Sequence, residues 1–467
     1  MSHHSLSLSL SLSLSLSLSL SLVSPALAQA PAPPTRFDLA AALADGTEPL
    51  TAERAAQLAV ERSPRIDVAR LTVTAAEASV HAATAALVPR LDIGARYAHV
   101  DGFPDGQIAV MGAPGGGITI HIPRDQFAAT ARLTVPITDL IFAALPAMEG
   151  AESRVRAERL RVDAAESDVA LMAIEALYRY VEARGIAAVA GSAREQAGAL
   201  RDQIVRYADA GILGPADRAS AEARVAQAEE AIARADSAVV VSGAALSILL
   251  GTPAEQRFQV AGAIPAGVPT LSGTLLEIET AALDHRPEIR AMRQSIAAQT
   301  RVRDATIATG YPHVGIYGYA EYSSPNQRVF PLTSTPYPSY ELGAQLTWSP
   351  SDTATAIFRA DEMNAQIAAA EDQMHVVEDG VRLEVRQAFA ELHATERSLE
   401  AARVSAEAAE EAYRAQLAEL SAGESILNDL LLADARATEA RLADLRARIT
   451  ANLARARLAH ATGESAD

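Results

Sequence analysis

Cysteine is absent from all 467 residues. That excludes disulfides, thiolate zinc sites, a cysteine nucleophile and an N-terminal cysteine that could carry a lipid. Aromatic side chains are scarce at 4%, although 49% of the chain is hydrophobic, so alanine and small aliphatic residues supply the apolar share. Basic residues number 40 against 58 acidic ones, a formal charge of −18. Nucleic-acid binding needs clustered Lys and Arg to displace counterions, so this balance argues against it. Beyond the leader, no run of about 18 uncharged apolar residues occurs, and no membrane-crossing helix is expected. An alanine-rich, charged, aromatic-poor chain favours long, closely packed helices over a compact enzyme core.

Charge is also missing from the first thirty residues, which hold no Asp, Glu, Lys or Arg. Leucine alternates with serine from Ser5 to Leu22, and Ala28-Gln29-Ala30 is the small-x-small pattern that a signal peptidase accepts. Residues 1–30 therefore read as an export signal cleaved after Ala28-Gln29-Ala30, although His3 and His4 stand where Lys or Arg is usual. A low-complexity strand with leucine on one face, prone to aggregate, is the plainer reading. Residues 31–47, with Pro31, Pro33 and Pro34, follow as an extended N-terminal segment.

What is present is one unit written twice. Arg62-Ser63-Pro64-Arg65-Ile66 corresponds to His285-Arg286-Pro287-Glu288-Ile289, an offset of 223, and Pro89 corresponds to Pro312 at the same offset. Leu133-Thr134 matches Leu346-Thr347, and Asp139 matches Asp352, at 213. Gly211, Asp217 and Gly251 match Gly423, Asp429 and Gly463 at 212. The large change of offset falls between residues 100 and 127, which places the length difference in a loop. Two repeats, 48–251 and 273–463, are thus joined by a Pro- and Gly-containing linker at 252–272, with 464–467 as a tail.

Each repeat runs through the same order of elements. A helix is expected at 51–87 and again at 275–309, ending before Pro89 or Pro312 because a residue before proline disfavours the helical region. Leu91, Ile93, Ala95 and Tyr97 then alternate with Asp92, Gly94, Arg96 and Ala98. That is about the length of a tilted membrane strand. Its counterpart is Val314 to Tyr322, where the alternation does not tell which face is outward. Loops at 101–125 and 323–339 lead to return strands at 127–137 and 340–349. Beyond them Val155, Val162 and Val169 are seven apart, matching Ile367, Met374 and Val381, a heptad seam of coiled-coil type. The first long helix, expected at 147–209, stops at Gly211 with Pro215 close behind, and a shorter helix returns to Gly251.

Four strands leave two unpaired edges that lipid does not satisfy, so a membrane barrel built from them needs several chains. The duplicated order of helix, strand, loop, strand, long helix, glycine tip and helix resembles the outer membrane efflux proteins, the TolC family. So do Ser63-Pro64-Arg65-Ile66, Leu87-Val88-Pro89-Arg90-Leu91 and the spacing of Tyr207 to Gly211. The resemblance covers nearly all of the mature chain. It implies a mainly α fold with a small membrane β part: duplicated helical hairpins forming an α-barrel tunnel, four transmembrane strands per chain, and a homotrimer closing a 12-stranded β-barrel. It implies no enzyme and no cofactor. The site implied is the outer membrane of a Gram-negative bacterium, with the tunnel extending into the periplasm. The partners implied are outer membrane lipid, a periplasmic adaptor, and an inner-membrane efflux transporter or a type I secretion (ABC) exporter.

The same resemblance puts function at the tips. Ala210, Gly211 and Ile212, and Ala422, Gly423 and Glu424, occupy the turns that meet adaptor hairpins, with Glu424 departing from the usual aliphatic residue. Asp429 stands where the family has an aperture aspartate, and three copies would make a cation-attracting ring at the entrance. Leu432 replaces a second aspartate one turn on, and Asp217 is the weaker equivalent in the first repeat. Each aspartate is also where a helix-capping carboxylate belongs, and each glycine where any helix ends.

Other constellations carry less. His99, His121 and His313 share no metal-ligand spacing, and Gly115-Gly116-Gly117 lacks the Lys-Ser/Thr of a phosphate loop. Tyr97, Tyr311, Tyr317, Tyr319, Tyr322 and Trp348 gather around the strands as an interfacial girdle would, though strand preference alone also favours aromatics there. A pore-free periplasmic coiled-coil scaffold is the competing reading, and the paired strand segments argue against it. A periplasmic adaptor would own one helical hairpin rather than two. No nucleophile–base pair, metal cluster or cofactor loop supports an enzyme.

Overall fold

The computed structural model describes residues 48–101, 106–109, 117–120, 123–253, 256–260, 273–329, 332–422 and 424–463. The export signal with Ala28 and Ala30, the 31–47 segment, His121, Gly115, Gly116, most of the linker, Gly423 and the tail lie outside these residues.

The chain opens with β1 (Glu48–Leu50), α1 (Ala52–Arg62) and α2 (Pro64–Ala85). Strand β2 (Arg90–His99), the short hairpin β3 (Gly106–Ala109) and β4 (Gly117–Ile120), and β5 (Asp125–Pro136) follow. A helical stretch begins at Ile137, passes through a π-helical turn at Leu140–Ala144 and continues as the 65-residue α3 (Leu145–Asp209); α4 (Pro215–Leu249) returns. After β6 (Phe258–Val260) come α5 (Leu275–His285), α6 (Pro287–Ala308), β7 (His313–Ser324), β8 (Tyr337–Thr347), the 73-residue α7 (Pro350–Ala422) and α8 (Leu427–Thr462).

The single first helix expected in each repeat is two helices. Ser63 and Arg286, each before a proline, hold ψ near 117° and 122°, outside the helical region. The proline lacks an N–H and its ring excludes helix at the preceding residue, so the same rule that was applied at Pro89 acts earlier, at Pro64 and Pro287. The halves match closely: α1 and α5 have 11 residues each, α2 and α6 have 22 each, and all four bounds differ by 223. Thr51 Oγ1 accepts from Arg54 N–H at 3.1 Å to start α1, while Thr274 and Glu277 form a reciprocal capping box at α5.

One difference of a single residue has a local explanation. Ile137 and the first residue of α7, Pro350, are 213 apart, whereas the first residues of α4 and α8 are 212 apart. The first half therefore holds one extra residue, and the π turn at Leu140–Ala144 is where a helix widens to absorb one. Phe142, inside that turn, meets Tyr311 edge to face with ring centroids 5.8 Å apart.

The four long strands form one antiparallel sheet in the order β2-β5-β7-β8. Below it α3 is the central rod, packed against α4, α2, α1, α6 and α8, while α7 packs against α8, α6 and α5. Helix α4 contains an 18-residue window of mean hydropathy 1.5 that is only 22% buried. The parallel pair β1–β6, with β6 inside the expected linker, seals the largest core cluster: Leu50 and Phe258 pack with Leu177, Tyr180, Leu246 and Leu250. A second cluster gathers Ile289, Val385, Leu392 and Leu458, and a third lies near the tips.

An ion pair joins α5 to α7: Arg386 Nε donates to Glu279 Oε1 at 2.6 Å and Nη2 to Oε2 at 3.2 Å. Hydrogen bonds from Arg386 hold the Glu279 carboxyl below its ordinary range. The pair therefore stabilises fully above the ordinary glutamate value and is lost as pH falls through the depressed one. Glu279→Gln is expected to lower the melting temperature at neutral pH and to leave it nearly unchanged at strongly acidic pH. Circular dichroism melts across a pH series check this, and a pH-independent loss would count against the pair.

Candidate functional site: a two-faced sheet and a helical tip

Directly opposed residues of an antiparallel sheet share a face, so the register sorts the sheet into two sides. Leu91, Ile93, Ala95 and Tyr97 lie opposite Leu133, Ala131, Ala129 and Phe127. These continue through Val314, Ile316, Gly318, Ala320 and Tyr322 to Leu346, Ala344, Leu342, Tyr340 and Pro338. That face is apolar along its length up to the loop end, where His99, Asp125 and Ser324 join it, and Ile93, Tyr340 and Leu342 are 78%, 76% and 83% exposed in the single chain. It also settles which residues of β7 belong with the apolar side of β2.

The other face carries Arg90, Asp92, Gly94 and Arg96 against Thr134, Arg132, Thr130 and Ala128, then Tyr317, Tyr319, Glu321 and Ser323. Here the polar groups interlock. The Arg132 guanidinium lies 4.9 Å from the centroid of the Tyr317 ring, and the Tyr317 hydroxyl donates to Glu341, which also receives Arg328. Tyr317 can lie flat only because its cross-strand neighbour is Gly343: a Cβ there would sit 2.8 Å from the tyrosine ring.

This sorting corrects the girdle read from sequence. Tyr317 and Tyr319 belong to the polar face. At the loop end, the apolar face carries Tyr97, Phe127 and Tyr322, the last two edge to face at 5.7 Å. Tyr311, Phe142 and Trp348 stand at the helix end. His313 pairs with Asp139, and His99 lies 2.7 Å from Asp125, so carboxylates engage both histidines. No cluster of three or more metal-ligating side chains occurs among the described residues.

At the far end, the α3–α4 turn is a Schellman motif. Ile212 N–H donates to Tyr207 O at 2.9 Å, Gly211 N–H donates to Ala208 O at 3.0 Å, and Gly211 has φ +75°. Ala210 precedes it as the cap residue, and Ile212 is 69% exposed. In the second tip Glu424 N–H donates to Glu419 O at 2.9 Å, the counterpart of the Ile212 bond 212 residues on, with Ala422 the last residue of α7.

The two equivalent aspartates differ in their contacts. Asp217 Oδ2 accepts from Gly214 N–H at 2.9 Å, so its carboxylate caps α4. Asp429 stands at the same position of α8, whose cap residue is Ile426, but it is exposed and has no partner among the described residues. Leu432, three residues on and so on the same side of the helix, is also exposed.

The sequence reading missed what holds the tips together. Arg224 of α4 donates through Nε (3.0 Å) and Nη2 (2.6 Å) to Asp434 Oδ2 of α8, and Asp434 is 4% exposed. Beside them Tyr413 of α7 packs with Leu200, Ile204, Leu427 and Leu430. Burial, with Asp434 nearby, pushes its hydroxyl up to about 12. Arg441 of α8 donates to Glu410 of α7 at 2.9 Å. Only long-range proximity marks these residues, and the one hint in sequence was charge at otherwise apolar helix positions.

The fold is that of outer membrane channels. It matches the CmeC outer membrane channel of Campylobacter jejuni with a TM-score of 0.72 at 17% identity, over 89% of this chain and 87% of that one. VceC of Vibrio cholerae matches at 0.71 and 16%, over 89% and 97%. The open state of the MtrE outer membrane channel of Neisseria gonorrhoeae matches at 0.67 and 19%, over 88% and 89%. Within this fold, residues 280–464 match the family model described as outer membrane efflux protein. The resemblance read from the sequence is thus the one that both comparisons find, and the proteins concerned are channels rather than enzymes. No curated protein sequence matches the chain.

Removing Asp434 leaves the half-buried Arg224 guanidinium without its partner, so Asp434→Ala is expected to cost about 2–3 kcal/mol, below the figure for a fully buried pair. Arg224→Met with Asp434→Leu removes both charges and should recover most of that loss. Helix melting compares the three, and a double variant no better than the single one would rule out stranded charge as the cause.

Proposed function

We propose that this chain is the outer membrane exit duct of an efflux pump or type I secretion system. In this reading residues 48–251 and 273–463 are two copies of one unit, and three chains close a 12-stranded barrel above a tunnel of long helices. One observation carries it: a four-stranded sheet with one face apolar up to its loop end, one polar face and, among the described residues, two unpaired edges, joined directly to helices of 65 and 73 residues. The apolar side suits lipid, the polar side an aqueous lumen, and unpaired edges suit only closure by further copies. Aromatic rings at both ends of the apolar face fit the two membrane interfaces.

The helical end is then the periplasmic entrance. Ala210, Gly211 and Ile212, with Ala422, Gly423 and Glu424, form the turns that a periplasmic adaptor engages, and the adaptor links the duct to an inner-membrane transporter or ABC exporter. Substrates pass outward, and the partners supply the energy. Asp429 is the aperture residue, because its exposed carboxylate has no partner among the described residues while that of Asp217 is committed to its own helix. Leu432 places an apolar ring one turn further in. A single carboxylate ring favours cations.

Conductance in planar lipid bilayers tests this. The wild type should give stable, cation-selective steps. Asp429→Ala should weaken the selectivity several-fold, while Asp217→Asn should change it little. Steps indifferent to Asp429 would remove it from the lumen. Folded protein that never conducts would leave a pore-free periplasmic scaffold in place of the duct.

A further inference from the structure

We infer that the joint between neighbouring subunits repeats the joint between the two halves of one chain, so that Arg436 of one copy pairs with Glu222 of the next, and Asp352 with Arg90. This rests on the duplicated, trimeric reading above and names its contacts. Three chains of two repeats make a ring of six similar units. A head-to-tail contact that closes such a ring is used at every boundary, whether or not the chain is continuous there. Each contact from first half to second half inside a chain therefore has an image between chains. The offsets that relate the halves convert one into the other.

The offsets pass an internal check. In the first hairpin Arg90 faces Thr134; adding 223 and 213 gives His313 and Thr347, which face each other in the second. Applied to the β5–β7 pairing, where Thr134 faces Tyr317, they place Thr347 of β8 opposite Gly94 of the next copy's β2. Both residues lie on the polar face. Leu346 likewise falls opposite Ala95, and both lie on the apolar face.

Where the intrachain joint uses charge at the two ends of the molecule, its image keeps the chemistry. Arg224–Asp434 becomes Arg436 and Glu222 at an offset of 212. In the single chain Arg436 is exposed with no partner among the described residues, and Glu222 receives only its helix neighbour Arg218 at 3.1 Å. At the junction of sheet and helices, Asp139–His313 becomes Asp352 and Arg90, both exposed. Next to it Thr138 donates to Val314 O at 3.2 Å, and the image is Ser351, another hydroxyl, against Leu91.

Midway along the helices the image loses the polar members of the contact. The intrachain contact there mixes apolar and polar groups: Leu445, Ile449 and Leu453 of α8 pack with Val169 and Leu177 of α3, Asn452 is 5% exposed, and His460 Nδ1 lies 2.9 Å from Ser167 of α3. Counterparts of Asn452, Leu453 and His460 on α4 are Val240, Val241 and Ile248, which are 70%, 66% and 77% exposed. Arg457–Glu175 maps onto Ala245 and Gln387, with no charge on either side. Val240, Val241 and Ile248 of α4 thus lie where that helix packs on α7 of the neighbouring copy.

A chain without cysteine allows a clean test by paired substitution in the full-length protein. Glu222→Cys with Arg436→Cys, and separately Arg90→Cys with Asp352→Cys, should give reducible dimer and trimer bands on mild oxidation. Arg224→Cys with Asp434→Cys should consume its thiols and remain a monomer band. Protein that is trimeric by light scattering, with the intrachain pair oxidised and both interchain pairs unlinked, would overturn the assigned contacts and leave the duct standing. Protein that is monomeric in detergent and lipid would overturn both. Charge reversal supplies a second readout: Glu222→Arg should reduce the trimer fraction, and adding Arg436→Glu should restore it. Failure of the double reversal to restore trimer when the single one disrupts it would count against the Arg436–Glu222 contact.

Discussion

Among the described residues, β2 and β8 are edge strands with no further strand paired to their outer sides, and that constraint shapes the rest of the molecule. Water can satisfy an open edge, but hydrocarbon cannot, at a cost of several kcal/mol per group. In the proposed reading, where the apolar face lies in lipid, the sheet is compatible only with closure, and four strands per chain call for further copies that meet head to tail. Strand β5 runs at Pro136 straight into the helical stretch beginning at Ile137, and only Trp348 and Ser349 separate β8 from α7, so the geometry of the sheet is passed directly into the helical part.

The helices answer with small side chains. Gly150 comes so close to α6 that a Cβ would lie 3.2 Å from the Ala298 carbonyl, and Gly243 of α4 would press on the Tyr180 ring at 3.3 Å. Alanine at buried positions such as Ala157, Ala173 and Ala454 keeps neighbouring rods close without aromatic bulk. Stability along so thin a structure comes from separate clusters rather than one core. Polar pairs at their edges, Arg386–Glu279, Arg457–Glu175 and Arg224–Asp434, tie particular helices in particular order. Such pairs contribute more to which helix neighbours which than to total stability.

Much of this architecture is legible in the chain because it is local and repeated. The order of elements, the strand pairs and the glycine tips follow from alternation, heptads and paired offsets. The misreadings share one origin. The break at Pro64 and Pro287 was hidden by reading the surrounding pattern as one helix, and the π turn leaves only a one-residue change in offset. β6 sits in a linker with little periodicity and acquires its strand only by pairing with β1. Tyr317 and Tyr319 looked like interface aromatics because composition does not distinguish the two faces of a strand until its register is known.

By itself the sequence determined the paired offsets, the length of the first long rod, the places where the rods turn and the absence of cysteine chemistry. Those depend on backbone preference and on spacing along the chain, which a single strand of letters carries in full. Only the tertiary structure decided which face of β7 joins the apolar side, that Asp217 caps its own helix while Asp429 has no partner among the described residues, and that Arg224 reaches Asp434 across 210 residues. Register and side-chain partnership are properties of packing. Two positions with the same local pattern acquire different roles only when their neighbours arrive.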